Sequence, residues 1–433
     1  MKLRSLIYQS VLWRGIYFAS VLLLNIMIAR YYEASYSGLI YFVVNNFALI
    51  VAISGLSMES GVAYYTASGE VPVLKLANFS VLWTLFSTIV VFILLEVSIY
   101  AGFIPESYAQ QFFPAVCYVS GCMLVNFFTA AFYAKKNFAL PNMLLALINI
   151  VLVALIPFSN GLLFSSQTYI NIFFAGFLIQ GVLTAILFYA KYARPALFKI
   201  PVKRDLIKIA KYSFVAFSAN ILFFLVYRID YWFVEYYCSA TALGNYIQVS
   251  KLAQTLFILP SIIASAVFPS IIGSGESRIS EKIAIIARVL LLIYVFVCLG
   301  LAATGFWLFP FIFGKTFNEM YTSFLLLIPG VLALVMLYPV TAYYAGVKRI
   351  KINVITLCFT LGVIVAGNMI ITPRYGINGA ATVSSIGYIF YHIFLLSVFR
   401  KENSISYLRF YKISMADFYQ LKQMIVENWK PRL

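Results

Sequence analysis

Seven ionisable residues stand in stretches otherwise suited to hydrocarbon: Arg14, Glu59, Glu96, Arg228, Asp230, Glu235 and Lys251. Such groups are costly at the bilayer centre and cheaper near its surface, so a membrane chain keeps few of them without a use. The cations suit an anion such as a phosphate or pyrophosphate. Arginine offers a planar fork to the oxygens, and lysine a point charge. Arg14, Arg228 and Lys251 are the candidate ligands. A buried carboxylate beside a cation can also exchange protons. Asn45 and Asn46, which match Lys251 under an internal repeat of the chain, are suited to sugar hydroxyls.

Each residue also has a plainer reading. Arg14, Arg228 and Lys251 lie about two turns from a membrane face, at about 1.5 Å per residue, within reach of the headgroups by snorkelling. Glu96 and Glu235 sit near span ends and read as interfacial. Asn45 and Asn46 read equally as helix-to-helix hydrogen bonds. On a helix Arg228 and Asp230 point about 200° apart, so Asp230 needs a partner on another helix. Lys251 and Arg14 are the candidates.

The elements that carry these residues are set by composition. The chain has 433 residues, 63% hydrophobic and 10% charged, where a soluble globule carries about 25% charged residues. Its mean hydropathy is +0.94. The solvent must be lipid. Runs of about 20 apolar residues then predict an all-α membrane protein of about twelve spans: 7–29, 38–62, 78–103, 110–133, 141–159, 168–190, 212–236, 244–271, 284–308, 320–345, 352–372 and 377–399. The first reads as a retained span, not a signal peptide.

Charge sets the orientation. Of the 31 lysines and arginines, 25 fall on one side, in alternate loops, in the termini and, for Arg288, in the first turns of the adjoining span; 3 fall on the other side and 3 deeper within spans. This split follows the positive-inside rule and predicts both termini in the cytoplasm. The net charge of +17 is thus a topology signal; no basic arm or nucleic-acid module carries it. The five cysteines include no CxxC pair and read as packing residues, not metal ligands.

The two halves resemble each other. YYEASYSGLIYFVVNN (31–46) aligns with YYCSATALGNYIQVSKL (236–252), matching Gly38 to Gly244, and AAFYAKK (130–136) aligns with TAYYAGVKR (341–349). Two pairs at nearly one offset argue for two six-helix bundles related by a parallel internal repeat. The expected division is 1–200, 201–400 and a cytoplasmic amphipathic tail at 401–433. Spans 1, 2, 7 and 8, equivalent under the repeat, hold most of the intramembrane charges. A charged cavity between two bundles would require that placement.

Three stretches carry a family resemblance: RIDYWFVEYYCSATALGNYIQVSKLAQTLFILPSIIASAVFPSI (228–272), FIFGKTFNEMYTSFLLLIPG (311–330) and YGINGAATVSSIGY (375–388). They resemble the polysaccharide-biosynthesis, or O-antigen and capsule, flippases of the multidrug/oligosaccharidyl-lipid/polysaccharide exporter superfamily. The resemblance implies a transporter of the bacterial inner membrane, not an enzyme, with no cofactor. It would flip an undecaprenyl-pyrophosphate-linked oligosaccharide from the inner to the outer leaflet by alternating access. It also implies a cationic cavity, which Arg14, Arg228 and Lys251 fit, and coupling to H+ or Na+. Asp230 is the first choice for that coupling and Glu59 the second. A polysaccharide polymerase and a chain-length protein would be partners, besides membrane lipids.

Two other readings stand beside it. A cation-coupled multidrug exporter of the same fold would favour acidic cavity residues. A membrane glycosyltransferase or polymerase would be expected to show a large loop with catalytic carboxylates or a His/Arg cluster, and no outer loop here is long enough. His392, the sole histidine, reads as packing before proton relay. The tail helix DFYQLKQMIVENW (417–429) is suited to the inner leaflet.

Overall fold

The computed structural model describes residues 3–102, 111–159, 165–193, 199–263, 276–347 and 349–412, with 414, 417 and 419. The regular elements among them are helical: α1 (Leu3–Gly55), α2 (Met58–Ser68), α3 (Val73–Tyr100), α4 (Phe112–Ala134), α5 (Ala139–Leu155), α6 (Ser166–Tyr192), α7 (Lys203–Arg228), α8 (Asp230–Tyr237), α9 (Ala240–Leu256), α10 (Glu276–Phe313), α11 (Met320–Gly346), α12 (Ile350–Asn403) and the short α13 (Leu408–Tyr411).

Ten helical stretches among the described residues are long and apolar enough to cross a membrane. Two of them, Tyr8–Gly55 and Ile350–Asn403, run for 48 and 54 residues. At about 1.5 Å per residue each exceeds twice the roughly 30 Å hydrocarbon core. Each also passes through one non-helical residue, Glu33 (φ 58°) in α1 and Gly376 (φ 57°) in α12. These breaks fall where the sequence ends one span and starts the next, so ten stretches accommodate twelve crossings. The chain is a multi-pass membrane protein. The last part of the eighth span, past residue 263, and the tail helix beyond Tyr419 lie outside the described residues.

The chain forms two compact units. The first comprises Met1–Tyr31 and Phe42–Ile221, the second Tyr32–Tyr41 and Leu222–Leu433. Residues 32–41 of α1 therefore belong with the second unit, and the first part of α7 with the first.

In the first unit, α4 and α6 meet through small residues, because lipid offers no solvent-driven force to press helices together. A Cβ on Gly121 would sit 2.3 Å from the Phe177 carbonyl. Phe127, Phe128, Phe132 and Phe188 fill the adjoining core. In the second unit α11 and α12 pack alike, with the Gly330 N–H donating to Ser385 Oγ at 2.8 Å.

The chain after α12 docks back on this unit. Phe410 is buried edge-on against Phe399. Arg288 of α10 donates to Asp417 Oδ1 and to the Arg409 carbonyl, both at 2.5 Å. His392 is buried, its Nε2 2.9 Å from Tyr411 Oη. The part of the tail nearest α12 thus rests on protein.

Candidate functional site

The seventh span is interrupted at the charged cluster. α7 ends at Arg228 and α8 begins at Asp230. Ile229 between them keeps helical dihedrals (φ −62°, ψ −30°), and its N–H bonds the Leu225 carbonyl at 2.8 Å. The helical course continues, so Arg228 and Asp230 diverge as the spacing predicts. Arg228 is half-buried, its guanidinium 5.1 Å from the centre of the Phe224 ring one turn back.

Asp230 is 1% exposed. Its Oδ2 accepts from Ser384 Oγ of α12 at 2.7 Å and from the Tyr246 hydroxyl of α9. The same two hydroxyls lie 3.3 Å from each other. Its Oδ1 is buried with no partner among the described residues. The partners are therefore two hydroxyls on other helices, not the expected Lys251 or Arg14. Helix rotation explains why Lys251 is elsewhere. Tyr246 and Lys251 are five residues apart on α9 and point about 140° from each other. A carboxylate with one saturated and one open oxygen suits a proton or a small monovalent cation.

Lys251 turns instead to Tyr41. Its Nζ lies 3.0 Å from the centre of that buried ring. Arg228 and Lys251 are near enough to feel each other's charge. Backbone contact explains why Tyr41 is there. A Cβ on Gly38 would stand 2.6 Å from Gly244 Cα, and one on Gly244 would stand 1.8 Å from the Ala34 oxygen. The two glycines that align between the halves thus touch. The Ala34 N–H donates to Thr316 Oγ1 at 3.0 Å. Asn245 donates to the Thr316 carbonyl at 3.0 Å and accepts from the Met320 N–H at 3.1 Å.

Arg14, Asn45, Asn46 and Glu59 all lie in the first unit. Arg14 is half-buried with its guanidinium 5.6 Å from the Tyr133 ring centre. Asn45 is buried. Asn46 is half-buried, and its Oδ1 has no partner among the described residues. Glu59 stands half-buried in the first turn of α2, where the helix dipole favours an anion. This unit also holds an amide chain in which Gln180 donates to Asn149 at 2.8 Å and Asn149 to Ser20 at 3.0 Å. Those side chains join helices, the plain role expected of membrane amides.

The structure thus brings Arg228, Asp230 and Lys251 into one unit. It adds Tyr41, Tyr246 and Ser384, which residue chemistry alone did not single out. Tyr246 ends the Gly-Asn-Tyr of α9, and Ser384 lies in YGINGAATVSSIGY. Both stretches had marked the family resemblance, so a signal was present without a role attached.

No protein-family model and no curated protein matches the chain. Solved structures do. A mutant of the Vibrio cholerae MATE transporter VcmN superposes with a TM-score of 0.66 at 12% identity, over 94% of this chain and 99% of that one. The lipid II flippase MurJ, in an inward closed conformation, gives 0.65 at 16%, over 97% of both chains. A MOP-superfamily transporter from Pyrococcus furiosus gives 0.62 at 15%, over 92% and 95%; reverse polarity of its binding pocket is taken to suggest a different function. The chain has the fold of these transporters, as its span count and repeat predicted.

Proposed function

We propose that this protein is a transporter of the bacterial inner membrane, with both termini in the cytoplasm. It flips an undecaprenyl-pyrophosphate-linked oligosaccharide from the inner to the outer leaflet by alternating access. The observation that carries this reading is the pair of intramembrane cations, Arg228 and Lys251, held half-buried in one unit. A pyrophosphate needs such charges, and a drug cation would be repelled by them. Arg14, Asn45 and Asn46, of the first unit, are the further candidate ligands for a phosphate and for sugar hydroxyls. Asp230, bonded to Tyr246 and Ser384 and open at Oδ1, is the coupling group for H+ or Na+, with Glu59 second. The shared fold with a lipid II flippase supports a lipid-linked substrate.

The likeness to MATE transporters favours a second reading, a cation-coupled multidrug exporter. Asp230 would then serve the exchange, and Arg228 would have no anion to hold.

A strain lacking the gene separates the two. The flippase reading expects lipid-linked repeat units to accumulate on the cytoplasmic leaflet, with loss of surface glycan. The wild-type gene should restore export, and Arg228→Ala, inserted at normal level, should not. Normal glycan output from Arg228→Ala would remove this residue from the site. Normal output from the deletion strain, with raised drug sensitivity, would favour the exporter.

A further inference from the structure

The first part of α7 is held by a narrow seam against α2, within the first unit. Of residues 203–221 only Ile209 and Ser213 are buried, and both meet Gly61 of α2. A Cβ on Gly61 would lie 2.6 Å from Ser213 Oγ and 3.0 Å from the Ile209 carbonyl oxygen. The exposed rings of Tyr64 and Tyr212 stack, 4.7 Å between centres and 25° between planes. Beyond them Lys208 Nζ pairs with Glu70 Oε2 at 3.1 Å. At the opposite end Asn220 donates to Ser57 Oγ at 3.1 Å. Residues 57, 61, 64 and 70 thus meet 220, 213, 212 and 208 in order. The helices run antiparallel in one register, with 57, 61 and 64 on one helical face.

The two sides of the seam are held unequally. Met58, Val62 and Tyr65 of α2 belong to the core with Phe127 and Phe128, to which 203–221 adds Ile209 and the half-buried Ala210. The rest of the seam is a solvent-reached ion pair, which contributes little, a ring stack and one amide bond. Ser213 Oγ is buried with no partner among the described residues. A segment with so few buried contacts opens at low cost.

Strain sits where the seam ends. Leu56 and Ser57, between α1 and α2, have φ of 46° and 51°. Side chains oppose that left-handed backbone, which persists where neighbours enforce it and clusters at switches. Ser57 is the residue to which Asn220 attaches.

We propose that this seam is a releasable clasp. Residues 203–221 part from α2 and return, on the side that the proposed topology places in the cytoplasm. α7 runs on from this segment to Arg228, so the clasp acts on the helix that carries one of the two cations. Its place in transport, as the inward-opening step, rests on the flippase reading. The opening itself is a property of the protein alone.

Two readouts test it. The first is the rate at which a water-soluble maleimide modifies Ser213→Cys in the purified full chain, read by mass spectrometry. Native Cys117, equally buried, is the internal control. A clasp that opens lets the thiol at 213 react while Cys117 does not. Lys208→Glu sets two carboxylates face to face and should speed the reaction about threefold, the scale of an exposed pair. Adding Glu70→Lys should restore the original rate. Should Ser213→Cys fail to fold, the half-buried Ala216→Cys takes its place. The second readout is surface glycan from cells carrying Tyr64→Cys with Tyr212→Cys, treated with dibromobimane, which enters cells and joins two thiols. Export should stop in the double variant and continue in each single one.

If the thiol at 213 reacts no faster than Cys117 and Lys208→Glu changes nothing, the seam is permanent and the proposal fails. If the cross-linked chain exports glycan as the single variants do, the proposal fails and the flippase reading stands. If labelling follows the charges while a deletion strain exports glycan normally, the clasp stands and the substrate reading falls.

Discussion

Replacing Gly244 with alanine tests the contact on which the site's geometry depends. The new Cβ would lie 1.8 Å from the Ala34 oxygen and 2.6 Å from its carbonyl carbon. Both are backbone atoms, so no side-chain rotation relieves the clash. Non-bonded carbons settle about 3.5 Å apart, so α1 and α9 must part by roughly 1.5 Å. That shift carries the 3.0 Å bond from Ala34 N–H to Thr316 Oγ1 beyond hydrogen-bond range. It also draws Tyr41 from Lys251. Overpacking of this kind costs about 1–3 kcal/mol, or about 3–10 °C in Tm for a unit of this size. The assay is thermal unfolding of the purified protein in one detergent, beside the rate at which an amine-acylating reagent modifies Lys251. Gly362→Ala is the control, since a Cβ there meets no atom within 4 Å. It should stay within about 1 kcal/mol of wild type. Equal Tm values for the two variants, with unchanged Lys251 reactivity, would refute both the glycine contact and the placement of Tyr41 that depends on it.

Two further outcomes rest on particular contacts. Asp230→Asn should leave the protein folded but make transport in proteoliposomes independent of an imposed H+ or Na+ gradient. Full gradient-driven transport by that variant would exclude Asp230 from coupling. Arg288→Ala strands the buried Asp417 carboxylate and frees the Arg409 carbonyl. Breaking a buried pair costs about 3 kcal/mol, so limited trypsin digestion should cut at Arg409 faster than in wild type. An unchanged cleavage rate would mean that this pair does not hold the tail.

Span positions and the two-bundle plan were legible in the residues themselves. The first depends on local composition, since about 20 apolar residues make a crossing, and the second on the resemblance between the halves. Even the breaks at Glu33 and Gly376 fall at expected span ends, though no composition rule says that the helix resumes at once. The alignment of Gly38 with Gly244 was equally visible. Their contact was not, because an alignment says which residues are equivalent and not which ones meet.

The amino-acid sequence by itself determined that this chain crosses the membrane as paired helical bundles and that charged groups lie within the spans. Only the tertiary structure decided what those groups touch. A span's length and polarity survive any rotation about its axis. A partner does not, since each residue turns the helix by about 100°. That rotation gives Asp230 to Tyr246 and Ser384, 16 and 154 residues away in the chain. It sends Lys251 to Tyr41 instead, and the packing of whole helices sets it, down to a backbone contact that two glycines leave open.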